Sequence, residues 1–175
     1  PADWASECQA ALRHGYRDFK TKGRPWHDIY AQMDAMQKVV PEDFHIDLDF
    51  NATLLDADHA IPILRQLETT YRNFAICEGP INDIDIEDSK RLREAVEVPI
   101  SHHAGALGDQ LPADYCDGFV LAGGASSIVR QGIVCGAFDK PFWLGADPVV
   151  ECAIATTRVI DPAREAAFLP TEAGL

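Results

Sequence analysis

Two lysines one residue apart, Lys20 and Lys22 in "YRDFKTKG", are the first side chains whose types and spacing could do chemistry. A strand alternates its side chains between two faces, so in a strand both ammonium groups point the same way. Like charges side by side repel, and on a covered face they also lose hydration. The next strand-like stretch, "FHIDLDFN", offers Asp47, Asp49 and Asn51, and "NFAICEGPI" offers Glu78. "VPISHHAG" adds the adjacent pair His102 and His103, and "DGFVLAGG" ends in Gly123 and Gly124. Carboxylates converging from neighbouring strands need a cation between them. Mg²⁺ takes oxygen ligands in octahedral geometry and keeps positions for water or substrate oxygens. A lysine near a metal ion and a second lysine is expected to have its pKa lowered, and a neutral lysine is a competent general base. The chemistry these types would support is removal of the proton α to a carboxylate, with Mg²⁺ chelating the carboxylate and stabilising the enediolate.

The elements that must position these residues follow from the hydropathy pattern. "DWASECQAALRHG" predicts a helix closed by Gly15, with Asp3 or Ser6 near its start. "YRDFKTK" predicts a strand, broken by "GRPW", and "HDIYAQMDAMQKVV" a helix stopped by Pro41. "FHIDLDF" alternates as a strand does. "DADHAIPILRQLETTYR" is helical, with Asp56 or Asp58 as cap and Pro62 in or near the first turn. "NFAICEGPI" is a strand, "DIEDSKRLREAV" an amphipathic helix, and "VPISHHAG" a strand and loop. "DGFVLAGG" is a strand, "ASSIVRQGIVCGAFD" a helix and "KPFWLG" a strand. Strands alternating with helix-length connections at a period of about 25–30 residues predict a parallel α/β fold. In a parallel barrel the site lies at the C-terminal strand ends, which is where the lysines, carboxylates and histidines fall.

Composition narrows the class. The 175 residues are 47% hydrophobic, enough for a folded core, and no linker or low-complexity stretch divides them. A formal net charge of -13 argues against nucleic acid or an anionic membrane as partner. No apolar run is long enough for a membrane span, and nothing at the N-terminus signals export. The five cysteines, Cys8, Cys77, Cys116, Cys135 and Cys152, are odd in number and widely spaced, as reduced thiols in a cytoplasmic protein would be.

In order and spacing, "KTK", "DLDFN" and "CEGPI" resemble the enolase superfamily, in its mandelate racemase/muconate lactonizing branch. That branch carries K-x-K, then D-x-N, then a Glu followed closely by Pro, on consecutive barrel strands. The resemblance runs from about Ala5 to Leu144. It implies a (β/α) TIM-type barrel and a reaction of the racemase, cycloisomerase or dehydratase type. It further implies Lys22 as the α-proton base, Lys20 as its electrostatic partner, and Asp49 and Glu78 as Mg²⁺ ligands with Asn51 beside them. A small carboxylate substrate and a homo-oligomeric assembly are expected. The barrel is expected to be incomplete: residues 1–175 would form part of the catalytic domain, with the capping domain and first strand outside this chain, since a closed barrel needs about 200 residues or more.

Three departures qualify the resemblance. Ala104 stands five residues after Pro99, where the third carboxylate ligand would be. His102 or His103 is the nearest substitute for a metal or substrate contact, and an imidazole ligand would favour Zn²⁺, Mn²⁺ or Fe²⁺ over Mg²⁺. No lysine in "DGFVLAGG" and no histidine ending "KPFWLG" supplies a second base, so a one-sided elimination or cycloisomerisation is the simpler fit. Blander readings stand beside these. The lysines could guard a sheet edge, Asp49 could cap a helix, Asp47 could pair with a lysine, and Glu78 could close a strand-end salt bridge. The histidines could be a solvent-exposed loop pair or a hydrogen-bonded core residue. Gly123 and Gly124 could hold an anion or simply turn. Trp26 and Tyr30 could wall a pocket, though core packing is the commoner use of such aromatics, and Trp143 reads as core. Two rival functions remain: a Schiff-base aldolase-type barrel using Lys20 or Lys22, and a catalytically inactive homologue kept as a binding protein.

Overall fold

Helix α1 (Ala2–Arg13) ends just before Gly15, which takes a left-handed φ of +88°, and the chain turns into strand β1 (Asp18–Lys22). Helix α2 (Ile29–Gln37) starts at Asp28, whose carboxylate accepts from the Ala31 amide and satisfies a donor the first turn leaves free. Strand β2 (His45–Asp49) leads to α3 (Ala57–Thr70), where Asp56 accepts from the His59 amide. Asp56, not Asp58, is therefore the cap. Pro62 sits one turn deeper than expected, inside the helix. Strand β3 (Phe74–Glu78), helix α4 (Ile86–Ala95, capped by Asp85) and strand β4 (Ile100–His103) follow. Strand β5 (Gly118–Leu121), helix α5 (Ala125–Ala137) and strand β6 (Phe142–Leu144) complete the order. The computed structural model describes residues 1–103 and 115–145. Ala104, Cys152 and the helix-like stretch expected after Leu144 lie outside the described residues.

The six strands form one parallel sheet in sequential order, β1 to β6. Sequential parallel pairing with helical crossovers gives a half-barrel, whose outer face must be covered by the helices. The residues obey that demand. Ile46, Leu48, Cys77, Phe119 and Leu121 alternate toward the helices and are buried there with Met33, Met36, Leu64, Leu67 and Leu92. The opposite, concave face carries Lys20, Lys22, Asp47, Asp49, Glu78, Ser101 and His103. Two apolar sets on one strand would have meant a fully buried sheet. The charged alternates instead mark the inner face as a place that handles ions.

Among the described residues, Cys8, Cys77, Cys116 and Cys135 are free and buried, and no helix is long and apolar enough to cross a membrane. Trp26 is 66% exposed and packs its face under the Arg24 guanidinium, 5.2 Å from the ring centroid. It is not a core residue.

Candidate active site

Strand register brings the charged residues together. Lys20 lies opposite Asp47, and Lys22 opposite Asp49. Asp49 lies opposite Glu78, and Glu78 opposite Ser101. Because parallel partners share a face, a row of ionisable groups runs across three strands at their C-terminal ends. Backbone bonds just past those ends lock the row. Gly23 donates to the Asp49 carbonyl at 3.0 Å, Phe50 to Glu78 at 2.9 Å, and Gly79 to Ser101 at 2.8 Å.

Two ion pairs fill the row. Lys22 donates to Asp49 Oδ2. Lys20 donates to Glu78 Oε1 at 2.7 Å, while its Nζ lies 2.6 Å from Oε2 and 3.6 Å from Asp49 Oδ2. Both Glu78 carboxylate oxygens therefore lie within ion-pair reach of the one ammonium. The carboxylates are buried, Asp49 at 2% exposure and Glu78 at 0%, whereas the lysines are about half exposed. Asn51 completes the first pair: its backbone N–H and side-chain amide both donate to Asp49 Oδ1, at 2.9 and 2.7 Å. It does so from a left-handed conformation (φ 48°) that asparagine tolerates better than most residues. His103 approaches from the other side, its Nε2 3.5 Å from Glu78 Oε1.

These contacts set the charge states of the row without a metal ion. Burial works against the Lys20 ammonium, but the charge and hydrogen bond of Glu78, joined by Asp47 and Asp49, outweigh it and raise the Lys20 pKa. The lowering expected beside a bound metal ion concerns the metal-loaded site. With carboxylates alone as neighbours, the ammonium is the favoured form. Burial also opposes ionisation of Asp49, yet the Lys22 hydrogen bond and both lysine charges hold its carboxyl below the ordinary range. The contact with Glu78 raises His103 against the effect of its burial.

Asp47 differs from its neighbours. It shares the inner face one layer deeper, but no lysine comes within ion-pair distance of it among the described residues, and its buried Oδ1 has no partner. Burial and the Glu78 charge push its carboxyl well above the usual range. The alternative pairing of Asp47 with a lysine does not form among the described residues.

The structure thus brings together Lys20, Lys22, Asp49, Asn51, Glu78 and His103, and it removes His102. Adjacent residues of a strand face opposite ways, so only one of the two histidines can reach the inner face. His102 points outward, fully buried, with Nδ1 2.8 Å from Asp83 Oδ1 and Nε2 3.2 Å from Ser89 Oγ. Its ring stacks on Tyr115 at 5.5 Å. The core-histidine reading holds for His102 and fails for His103. Gly123 and Gly124 lie exposed before α5 with no polar side chain capping them. Sequence reasoning missed Ser101, whose buried Oγ is unpartnered beside Glu78 on the inner face. A serine in a strand carries no signal of its own. Asp83 was also missed, although the polar run "NDID" after Pro80 marks a structured loop.

The donor set suits a hard divalent cation in part. Asp49 and Glu78 are buried oxygen donors converging from adjacent strands. Among the described residues, however, no group of three or more His, Cys, Asp and Glu side chains is arranged to hold a metal ion. Two protein carboxylates with water and substrate oxygens can serve Mg²⁺, whereas they are too few for a structural zinc site.

Fold and site together define a parallel α/β half-barrel with lysines and carboxylates converging at its C-terminal mouth. Residues 3–105, over half the chain, match the enolase C-terminal domain-like family, and the chain belongs to that family. Solved structures agree in fold. A dipeptide epimerase from Enterococcus faecalis is 18% identical, with a TM-score of 0.72 over 83% of this chain and 44% of that one. A mandelate racemase/muconate lactonizing family protein from Azoarcus sp. is 26% identical, with a TM-score of 0.71 over 83% and 40%. D-glucarate dehydratase from Agrobacterium tumefaciens, complexed with magnesium, is 17% identical, with a TM-score of 0.76 over 91% and 46%. The chain spans less than half the length of these structures. No curated protein matches it.

Proposed function

We propose that this chain is part of the catalytic barrel of an enzyme that removes the proton α to the carboxylate of a small acid. One observation carries the reading: two lysines and two buried carboxylates from three successive strands interlock at the C-terminal mouth of a barrel of this family. Asp49 and Glu78 would hold a divalent cation, Mg²⁺ in the first place, with Mn²⁺ or another ion favoured if His103 joins them. When bound, that cation would chelate the substrate carboxylate and offset the negative charge that grows on it as the proton leaves.

The chain's own residues divide the remaining work. Lys22 is at the mouth and half exposed, so a substrate can reach it, and it takes the α-proton. Lys20, held on Glu78, keeps a positive charge beside the reacting carboxylate. Asn51 fixes the Asp49 carboxylate from two donors and leaves Oδ2 to face the site. The outcome would be racemisation or epimerisation, cycloisomerisation, or dehydration, the range of activities named for structures of this fold. Completion of the barrel and a covering domain at its mouth belong to this reading. Trp26, Leu55 and Ile84, on the loops leaving three successive strands, are 66%, 69% and 63% exposed and offer such a domain an apolar rim.

A second reading, a barrel that binds a carboxylate without turning it over, draws its support from the sequence, where Ala104 stands at the position the family gives its third carboxylate ligand. Borohydride trapping with a carbonyl substrate separates the Schiff-base alternative, in which Lys20 or Lys22 would be the nucleophile and the acidic ligands would have no role. Thermal melts in EDTA and across Mg²⁺ and Mn²⁺ series separate the first two. A ligand that binds only the folded state adds about 2.7 kcal/mol at a hundredfold excess over its Kd. A rise in Tm with either ion supports the enzymatic reading, and a flat response to both favours the inactive binder.

A further inference from the structure

His102 is fully buried, lies outside the ion-pair row, and yet has both ring nitrogens engaged. A carboxylate can only accept, so Asp83 Oδ1 takes a hydrogen bond from Nδ1–H, and in the neutral ring Nε2 accepts from the Ser89 hydroxyl. The order Ser–His–Asp has the connectivity of a hydrolytic triad, but Ser89 and His102 are both at 0% exposure, so no substrate reaches the hydroxyl. The chain of bonds must serve something else.

Its end point is informative. Asp83 sits five residues after Glu78, in the loop joining β3 to α4. That loop is tied at its start, where Gly79 and Pro80 carbonyls accept from Ala52 and Leu54 at 2.7 and 3.1 Å. It is tied at its end, where Asp85 caps α4. Between them, Asn82 makes only local turns, to Ile84 and Asp85, and Ile84 is 63% exposed. Ile81 packs into the core, and Asp83 is the one polar side chain of this middle portion hydrogen-bonded to the barrel wall among the described residues. The Asp83 charge also acts on His103, across the strand from His102.

We propose that His102 is a positioning residue, which through Asp83 anchors the β3–α4 loop beside Glu78 and His103 at the mouth of the site. The consequence for cation binding rests on the function proposed above; the anchoring of the loop does not. Outer partners that orient a metal-binding group typically matter about tenfold or more for affinity.

The test uses two substitutions that divide the two ring nitrogens. His102→Asn places an amide donor near the Nδ1 position and can keep the bond to Asp83. His102→Gln places it near Nε2, faces Ser89, and cannot. Hydrogen exchange of the intact protein would be followed peptide by peptide, with Mn²⁺ titrated into wild type and both variants. The expected result is exchange of residues 79–85 about tenfold faster in His102→Gln than in His102→Asn, with α3 and β2 unchanged. Asp83→Ala breaks the same bond from the loop end and should reproduce the loosening even if the buried glutamine fails to fold. Equal loop exchange in wild type and Asp83→Ala would overturn the proposal, as would faster exchange spread over the whole chain. If wild type takes up no Mn²⁺, the cation-binding reading fails, and the exchange comparison alone still decides the role of His102. If wild type binds Mn²⁺, His102→Gln should weaken it about tenfold and His102→Asn should not.

Discussion

Lys20 reaches past its own register partner. Asp47 stands opposite it on the neighbouring strand, yet the Lys20 ammonium donates to Glu78 one strand further away, at 2.7 Å. The reason lies in depth. Glu78 and Asp49 end their strands together, and a lysine stretching toward the mouth meets both, whereas Asp47 lies a layer below. One carboxylate gains a partner and another is left with a bare buried oxygen.

Asp47→Asn should therefore stabilise the metal-free protein. Asparagine removes a carboxyl whose ionisation burial opposes, worth on the order of 1 kcal/mol once the pH is well above the unfolded value. The sign with pH follows from the direction of the shift. A carboxyl whose folded pKa is raised contributes fully below the unfolded value near 4 and loses that contribution as pH climbs through the folded value. The variant should match wild type in acid and gain on it as pH rises above about 4. Urea titrations in EDTA at several pH values would read this, and an advantage that shrank with rising pH would sink it.

Lys22→Ala should abolish exchange of a substrate α-proton with D₂O, a loss of about 10²–10⁴-fold, and leave the circular dichroism of the fold intact. Lys20 remains 3.6 Å from Asp49, so the buried carboxylate keeps a counter-charge. Lys22→Arg should not restore activity, because a guanidinium stays protonated and cannot act as base. Wild-type exchange in Lys22→Ala, followed by NMR, would remove Lys22 from its assigned role.

Gly23→Ala tests the wall behind the lysines. A Cβ there would lie 2.8 Å from Phe50 Cε1, and Phe50 is fully buried. Overpacking of this kind costs about 1–3 kcal/mol. The expected outcome is a lower Tm in the alanine variant. Recovery of the loss by the double variant Gly23→Ala, Phe50→Leu would identify the clash as the cause.

Thiol chemistry gives an independent check on the core. Burial pushes Cys135 up to about 12, and burial with the Glu7 charge pushes Cys8 to about 12. Burial likewise raises Cys77 and Cys116. Since only the thiolate reacts, peptide-resolved iodoacetamide labelling of these four should be negligible and flat from about pH 7 to 9 in the native protein. In denaturant it should rise steeply with pH. Native labelling that climbs with pH at any of the four would contradict its burial.

The sequence alone carried the periodicities, and periodicity is local. Alternation in "FHIDLDF", helical spacing in "HDIYAQMDAMQKVV" and Gly15 at a helix end each depend on neighbours a few residues away, so strands, helices and their order were legible. The site row was legible for the same reason. Once the strands are parallel and sequential, charges at their ends must converge. Which charge meets which was not legible, because that depends on register and depth between strands 27 to 58 residues apart. Only the tertiary structure decided that Lys22 takes Asp49, that Lys20 takes Glu78, and that Asp47 takes neither. It also divided two identical neighbours. His102 and His103 are the same residue type in one strand, and the pleat sends one into the wall with Ser89 and Asp83 and the other toward Glu78. A side chain's chemistry is set by its sequence identity, but the charges, donors and solvent it faces come from residues far away in the chain, and folding alone brings those to it.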